Sequence, residues 1–349
     1  PTRRSSDLTW SEASGNLPAG GNFNGIALKD VNHDGRLDII AGSSDGAGIR
    51  VYLRSDENLW TESSSGLPSA DFVCNEVLVA DYNRDGNLDI AATSGDDHGL
   101  RIYTGNGAGA WTEQTAPATT GSWTGIAAWD WTGNGCLDFI AASQSEQGLG
   151  FWRHGAFFNY VFGDFELPRV GSFQQLALTD ANFDGRQDVV ATFKMGVRAF
   201  SGIEPPFPEI STGLPSGQAF AGLVAGNQPR DAQPDIFFSS GESPGLFGFK
   251  GLVRGAWLLQ DDFQSTGTFP GLAMADSDRD GASDLAGASH KGGIQIYYFE
   301  PTHVDVDYTS GTAPVKPAVS ARCMDGADLN RDGLADLVIG TQSHGLTLW

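Results

Sequence analysis

The chain has 349 residues, with 43 Asp plus Glu against 21 Lys plus Arg and a formal net charge of −22. No basic stripe exists to meet phosphates, so neither nucleic acid nor an anionic membrane surface is an expected partner. No run of about 18 apolar residues occurs, so no membrane insertion is expected.

Pro1–Leu8 resembles a translated sequencing adaptor and is expected to be a non-native lead-in, the alternative being an ordinary polar one. Leu8–Glu12 matches Leu59–Glu62 and reads as a strand. A short apolar run follows, Gly25-Ile-Ala-Leu28, and then a polar loop from Asp30 to Asp38. A second run, Leu37-Asp-Ile-Ile-Ala41, leads through a Gly-containing turn to a third, Ile49–Leu53, and a fourth carries Trp60. All four are short and rich in β-branched or aromatic residues, and no stretch holds a helical period. The same order then returns along the chain. Loop copies lie at 30–38, 81–89, 130–138, 180–188, 227–235, 276–284 and 328–336, and their first residues are 51, 49, 50, 47, 49 and 52 positions apart.

A period near 50 with four strands per repeat predicts an all-β, seven-bladed β-propeller with four antiparallel strands in each blade. The last repeat holds only three strands, ending at Leu346–Trp349, so the N-terminal strand Leu8–Glu12 is expected to complete the last blade and close the ring. Residues 1–349 therefore read as a single propeller domain.

Five copies place oxygen side chains at loop positions 1, 3, 5 and 9, with Gly at position 6: Asp30, Asn32, Asp34 and Asp38; Asp81, Asn83, Asp85 and Asp89; Asp180, Asn182, Asp184 and Asp188; Asp276, Asp278, Asp280 and Asp284; Asp328, Asn330, Asp332 and Asp336. Alternate residues of a tight loop can turn inward to one centre, and the backbone carbonyl of position 7 (Arg36, Asn87, Arg186, Ala282 or Leu334) can add a ligand. Ca2+ accepts such a loose all-oxygen shell, whereas Mg2+ demands a stricter octahedron. About five structural Ca2+ sites are expected. Asp, Asn and Gly also make ordinary turns, but five matching copies in phase favour metal. The third copy, Asp130, Thr132, Asn134 and Asp138, has two carboxylates and is expected to bind weakly or not at all. The fifth, Asn227, Pro229, Asp231, Ala232 and Asp235, lacks the Gly and reads as metal-free.

These repeats resemble the FG-GAP/VCBS family, whose best-known members form the calcium-binding propeller at the head of integrin α chains. The resemblance covers nearly the whole chain and implies metal loops on one face of the disc, each joining the innermost strand of a blade to the next strand. The Phe-Gly and Gly-Ala-Pro signatures of the integrin branch are not evident, so an integrin-like role is not implied.

The five strong loops hold sixteen carboxylates, and five bound Ca2+ would bring the charge to about −12. Without metal these groups repel, so the fold is expected to depend on calcium. Such loops fill at millimolar calcium, which points to an extracellular, cell-surface or periplasmic protein. Cys74, Cys136 and Cys323 form no obvious pair and read as structural thiols.

The opposite face is expected to combine turns after the second strand (Ser43–Ala47, Ser94–His98, Ser143–Gln147, Ser239–Pro244, Ser289–Gly292, Thr341–His344) with lead-ins to the inner strand (Pro18–Asn24, Pro68–Asn75, Thr115–Thr124, Pro215–Ala221). His98, His290 and His344 hold similar places there and read as exposed turn residues before a polar ligand site. Phe23, Cys74, Trp123, Phe173, Phe220, Phe269 and Ala321 each stand seven steps before a loop. They read as packing between blades in preference to a sugar-stacking ring. No nucleophile motif, paired carboxylates outside the loops or cofactor fingerprint appears, so no enzyme is expected. The leading expectation is a binding, adhesion or assembly module with an extracellular protein or glycan partner, or self-association. A carbohydrate-binding lectin and a polysaccharide lyase or other propeller enzyme are the alternatives.

Overall fold

The computed structural model describes residues 10–349 apart from 57–58, 146, 156–157, 164–166, 203–206, 228–232, 241–244, 253–254, 261–267, 290–292, 300–307 and 313–319. Leu8 and Thr9 of the expected closing strand, His290, and Pro229, Asp231 and Ala232 of the fifth loop therefore lie outside the described residues, as do the tips of the turns at 239–244 and 289–292.

Strand follows strand, with no α-helix among the described residues. Blade 1 is β1 (Phe23–Lys29), β2 (Asp38–Ser43), β3 (Ile49–Asp56) and β4 (Leu59–Glu62), and blade 2 is β5 (Cys74–Ala80), β6 (Asp89–Ser94), β7 (Leu100–Gly105) and β8 (Trp111–Glu113). Blade 3 is β9 (Gly125–Trp129), β10 (Asp138–Ala142), β11 (Leu149–His154) and β12 (Tyr160–Gly163), and blade 4 is β13 (Phe173–Thr179), β14 (Asp188–Phe193) and β15 (Gly196–Phe200). Blade 5 is β16 (Phe220–Asn227), β17 (Pro234–Ser240), β18 (Leu246–Leu252) and β19 (Ala256–Gln260). Blade 6 is β20 (Gly271–Ala275), β21 (Asp284–Ser289), β22 (Gly293–Phe299) and β23 (Tyr308–Thr312), and blade 7 is β24 (Ala321–Ala327), β25 (Asp336–Thr341) and β26 (Leu346–Leu348). Each blade is an antiparallel sheet in sequence order, and the innermost strands pack in succession around the axis until β24 meets β1.

Seven apolar clusters hold the ring, each drawn from two neighbouring blades. The second strand of a blade is sandwiched on both sides, which is why β2 and β6 are buried along their whole length. Such strands read as continuous apolar runs without alternation.

The fourth-strand place in blades 4 and 7 is taken by short segments. Ile210 N–H donates to Ala199 O at 2.8 Å and Ala199 N–H to Ser211 Oγ at 3.0 Å. Ala13 N–H donates to Leu348 O at 2.8 Å and Leu348 N–H to Ser14 Oγ at 3.1 Å. Ser63 and Ser64 make the same two bonds to Val51 in blade 1, at 2.8 and 3.0 Å. The N-terminal segment thus completes the last blade, but the hydrogen bonds fall at Ala13 and Ser14, just beyond the expected Leu8–Glu12, and Trp10–Glu12 forms no strand. The join is reinforced where Leu28 N–H donates to Asp325 Oδ2 at 3.1 Å.

Candidate metal centres

Outside the fifth copy, each loop leaves the end of an inner strand and returns as the second strand, so these six open on one face. In the five strong copies the position-6 Gly donates its N–H to the position-1 carboxylate: Gly35 to Asp30, Gly86 to Asp81, Gly185 to Asp180, Gly281 to Asp276 and Gly333 to Asp328, at 2.8–3.1 Å. The position-7 N–H donates to position 5: Arg36 to Asp34, Asn87 to Asp85, Arg186 to Asp184, Ala282 to Asp280 and Leu334 to Asp332, at 2.7–2.9 Å. The side chain at position 3 (Asn32, Asn83, Asn182, Asp278 or Asn330) accepts from the N–H of position 5 at 2.8–3.1 Å. Side chains 1, 3 and 5 are thereby folded over one small volume.

The wrap needs two left-handed residues. Position 6 is Gly in each, with φ from 82° to 89° in the strong copies. Position 4 is also left-handed, at His33, Arg84, Phe183, Arg279 and Arg331, with φ from 59° to 64°. Gly was an expected choice; the second position carries no common residue type and was not legible. Three of these residues reach the neighbouring loop: Arg331 lies over Gly35, Arg84 over Gly135 and Arg279 over Gly333. Arg279 Nη2 also lies 3.4 Å from Asp332 Oδ1.

Position 9 does something the spacing did not announce. Asp38, Asp89, Asp188 and Asp284 are almost wholly buried. One oxygen accepts from the position-2 N–H, from Val31, Tyr82, Ala181 and Ser277, at 2.8–3.0 Å. The other accepts from the third strand or just beyond it, from Arg54, Gly105, Gly202 and Phe299, at 2.6–3.0 Å. This residue staples loop to blade. In the weak third copy Asp138 does the same for Thr132 and His154, at 3.1 and 2.8 Å, although Thr132 supplies no carboxylate. Asp130 and Asn134 there keep the loop turn through Gly135 and Cys136. Asp235 of the fifth copy is likewise buried. Asp336 binds Leu329 N–H at 2.8 Å and Asn330 Nδ2 at 3.4 Å.

Burial pushes Asp38, Asp89 and Asp188 up to about 6 and Asp284 up to about 8, and the adjoining loop carboxylates add to the rise. A cation among them would relieve that repulsion. The donor set, all oxygen and mostly anionic, fits a hard divalent ion. In the sixth loop Asp276, Asp278 and Asp284 each present an oxygen within 4.8 Å of the others, the one such cluster of His, Cys, Asp and Glu among the described residues.

On the opposite face, second-strand turns meet the lead-in of the next blade, as where Gly48 N–H donates to Phe72 O at 3.1 Å. His98 and His344 do not converge: His98 Nδ1 is 2.8 Å from Asp96 Oδ1, and His344 Nδ1 is 2.9 Å from Ser343 Oγ. Phe23, Cys74, Trp123, Phe173, Phe220, Phe269 and Ala321 are all buried in inter-blade clusters. They are wedges, and offer no stacking surface. Burial raises the Cys74 and Cys323 thiols far above their ordinary range, and the three cysteines are unpaired. No helix among the described residues is long and apolar enough to cross a membrane.

Residues 30–92 and 81–141 each match the FG-GAP-like repeat family, spanning the first three loop copies. No curated protein matches the chain. Among solved structures, the crystal structure of BBS1N in complex with ARL6DN, soaked with lead, is similar, with a TM-score of 0.61 at 10% identity over 98% of this chain and 97% of that one. At that identity the likeness speaks for the fold alone. The chain is a seven-bladed β-propeller carrying FG-GAP-like repeats.

Proposed function

We propose that the chain is a calcium-stabilised binding or assembly module that works outside the cytoplasm. One observation carries the metal reading. Five loops, in phase around the ring, repeat the same hydrogen-bonded turn about their position-1 carboxylate, and in the sixth copy Asp276, Asp278 and Asp284 bring oxygens within 4.8 Å of one another. Carboxylates gathered this closely repel, and a divalent cation between them offsets that repulsion. Loops of this kind fill at extracellular calcium, hence the compartment.

The ions rigidify turns and perform no chemistry, and no catalytic role is part of this proposal. What remains is a stiff disc with two end faces. BBS1N, of the same fold, was crystallised in complex with ARL6DN. We infer a comparable use here, with an extracellular protein or glycan, or a second copy, as partner. After metal is stripped and calcium restored, metal analysis should return about five ions per chain, and melting temperature should rise with calcium and fall with chelator. Fewer than two bound ions, or a melting temperature indifferent to chelation, sinks the calcium reading. Light scattering with calcium, and a glycan array, then separate self-association and sugar binding from a protein partner.

A further inference from the structure

A carboxylate that forms no ion pair among the described residues, Glu76, stands at the axis, on the face opposite the loops. Five inner strands begin with a β-bulge, between Phe23 and Gly25, Cys74 and Glu76, Phe173 and Leu176, Phe220 and Leu223, and Ala321 and Cys323. A bulge re-aims side chains. Here it brings Asn24, Asn75 and Arg322 to the channel mouth, with Thr124 and Gln175 beside them. Below the mouth lies a cavity of about 130 Å³ lined by the Asn, Thr and Gln side chains just named, by Glu76, and by Leu176, Leu272 and Met324, but not by Arg322. Glu76 stands where blades 1, 3, 5 and 6 carry Gly25, Gly125, Gly222 and Gly271. It is partly buried, and Ile126 N–H donates to its Oε2 at 3.2 Å.

Asn75, Asn24 and Thr124 each commit a hydrogen to a neighbour and not to Glu76. Asn75 Nδ2 donates to Trp123 O at 2.9 Å, which turns Asn75 Oδ1 toward Asn24 Nδ2 at 3.4 Å. Asn24 Oδ1 is therefore left facing inward, buried and without a partner, and so is Gln175 Oε1. Thr124 gives its hydroxyl hydrogen to Ala142 O or Phe173 O, each at 3.1 Å. The cavity thus offers acceptors and an anion on one side and aliphatic walls on the other. A buried charge is stable only when paired. Hard divalent ions want six or more oxygens, which the Leu and Met wall denies. An ammonium brings three donors and one charge, and its alkyl stem fits the wall.

We propose that this axial cavity binds the ammonium group of a small primary alkylamine, with Glu76, Asn24 and Gln175 as its acceptors. The other titratable groups near the channel are Arg322, Cys323 and Asp325 on β24, Cys74 on β5 and Lys29 on β1, and none of them is the counter-ion of Glu76. Burial pushes Glu76 up to about 8, so an arriving ammonium displaces a proton. The site is remote from the metal loops, so its failure leaves the calcium reading untouched.

Titration calorimetry with n-butylammonium chloride at pH 7, in two buffers of different ionisation enthalpy, tests it. Saturable binding at one site with proton release is expected. Tetramethylammonium, which has no N–H, and n-butanol, which has no charge, should not bind. Glu76→Gln and Gln175→Leu, each checked for a native melt, should weaken binding roughly 10- to 100-fold. No saturable heat at tens of millimolar amine, equal binding of tetramethylammonium, or unchanged affinity in a folded Glu76→Gln protein overturns the proposal.

Discussion

Two carboxylate classes share one loop motif and answer to different physics. Asp184 at position 5 is exposed and bonded mainly to its own loop, whereas Asp188 is buried and satisfies Ala181, Asn182 and Gly202 N–H groups. Removing an acceptor strands buried donors at about 1–3 kcal/mol apiece. Asp188→Ala should therefore destabilise the protein by about 3 kcal/mol or more whether or not calcium is present. Asp184→Ala should barely move the metal-free melt and should erase this loop's share of the calcium-induced rise. Thermal melts of both variants with calcium and with chelator compare them. Glu76 gives a pH signature. Its folded value of about 8 exceeds the ordinary 4.5, so its contribution to stability is present at low pH and is lost as pH rises through about 8. Glu76→Gln has no proton to lose there. Its melting-temperature advantage over wild type should widen between about pH 4.5 and pH 8 and level off above. A constant difference across that range would mean that Glu76 ionises freely.

At the scale of elements, the strands and loops were legible because their chemistry is local. Gly25–Leu28, Leu37–Ala41 and Ile49–Leu53 fall within β1, overlap β2 and fall within β3, since apolar β-branched runs bounded by turn residues leave few alternatives. The left-handed residue at position 4 was not legible, because His33, Arg84 and Phe183 share no side-chain property that favours positive φ. The loop imposes that conformation through its other bonds. The turn that joins blades is a third case. Leu17 N–H donates to Ser14 O, Leu67 to Ser64 and Leu214 to Ser211, each at 3.0 Å. Gly66 in that turn has φ of 93°, and a β-carbon there would run into Trp111 O. Gly66→Ala should cost about 2–3 kcal/mol from backbone strain and the clash, read from the urea midpoint, while Gly46→Ala, left-handed but in open space, should cost about 1 kcal/mol.

Over the whole molecule, stability is distributed among seven inter-blade clusters, so the ring is as strong as its weakest join. That join is where Ala13 and Ser14 meet Leu348 and where Leu17 enters the cluster shared by blades 7 and 1. Removing residues 1–17 deletes both contacts and bares the edge of β26. The expected loss is about 4–8 kcal/mol, from one buried Leu, the two bonds to Leu348 and the two that Asn16 makes with the Trp60 backbone, together with a broadened urea transition as blade 7 frays before the rest. A truncated chain that unfolds at the wild-type midpoint would show that β24 against β1 closes the ring unaided.

Repeat number, strand order, loop positions and the inter-blade role of Phe23, Trp123, Phe173, Phe220 and Phe269 were determined by the sequence itself, because each depends on spacing and residue type within about 50 positions and is restated several times. Tertiary structure alone decided three things: which carboxylate of a loop is spent on the scaffold, that the closing bonds fall at Ala13 and Ser14, and that Glu76 lines an axial cavity with Asn24 and Gln175. Those outcomes rest on groups far apart in the chain meeting at one point, and a bulge of one residue can turn a side chain toward the axis without leaving any mark on the spacing of the motifs.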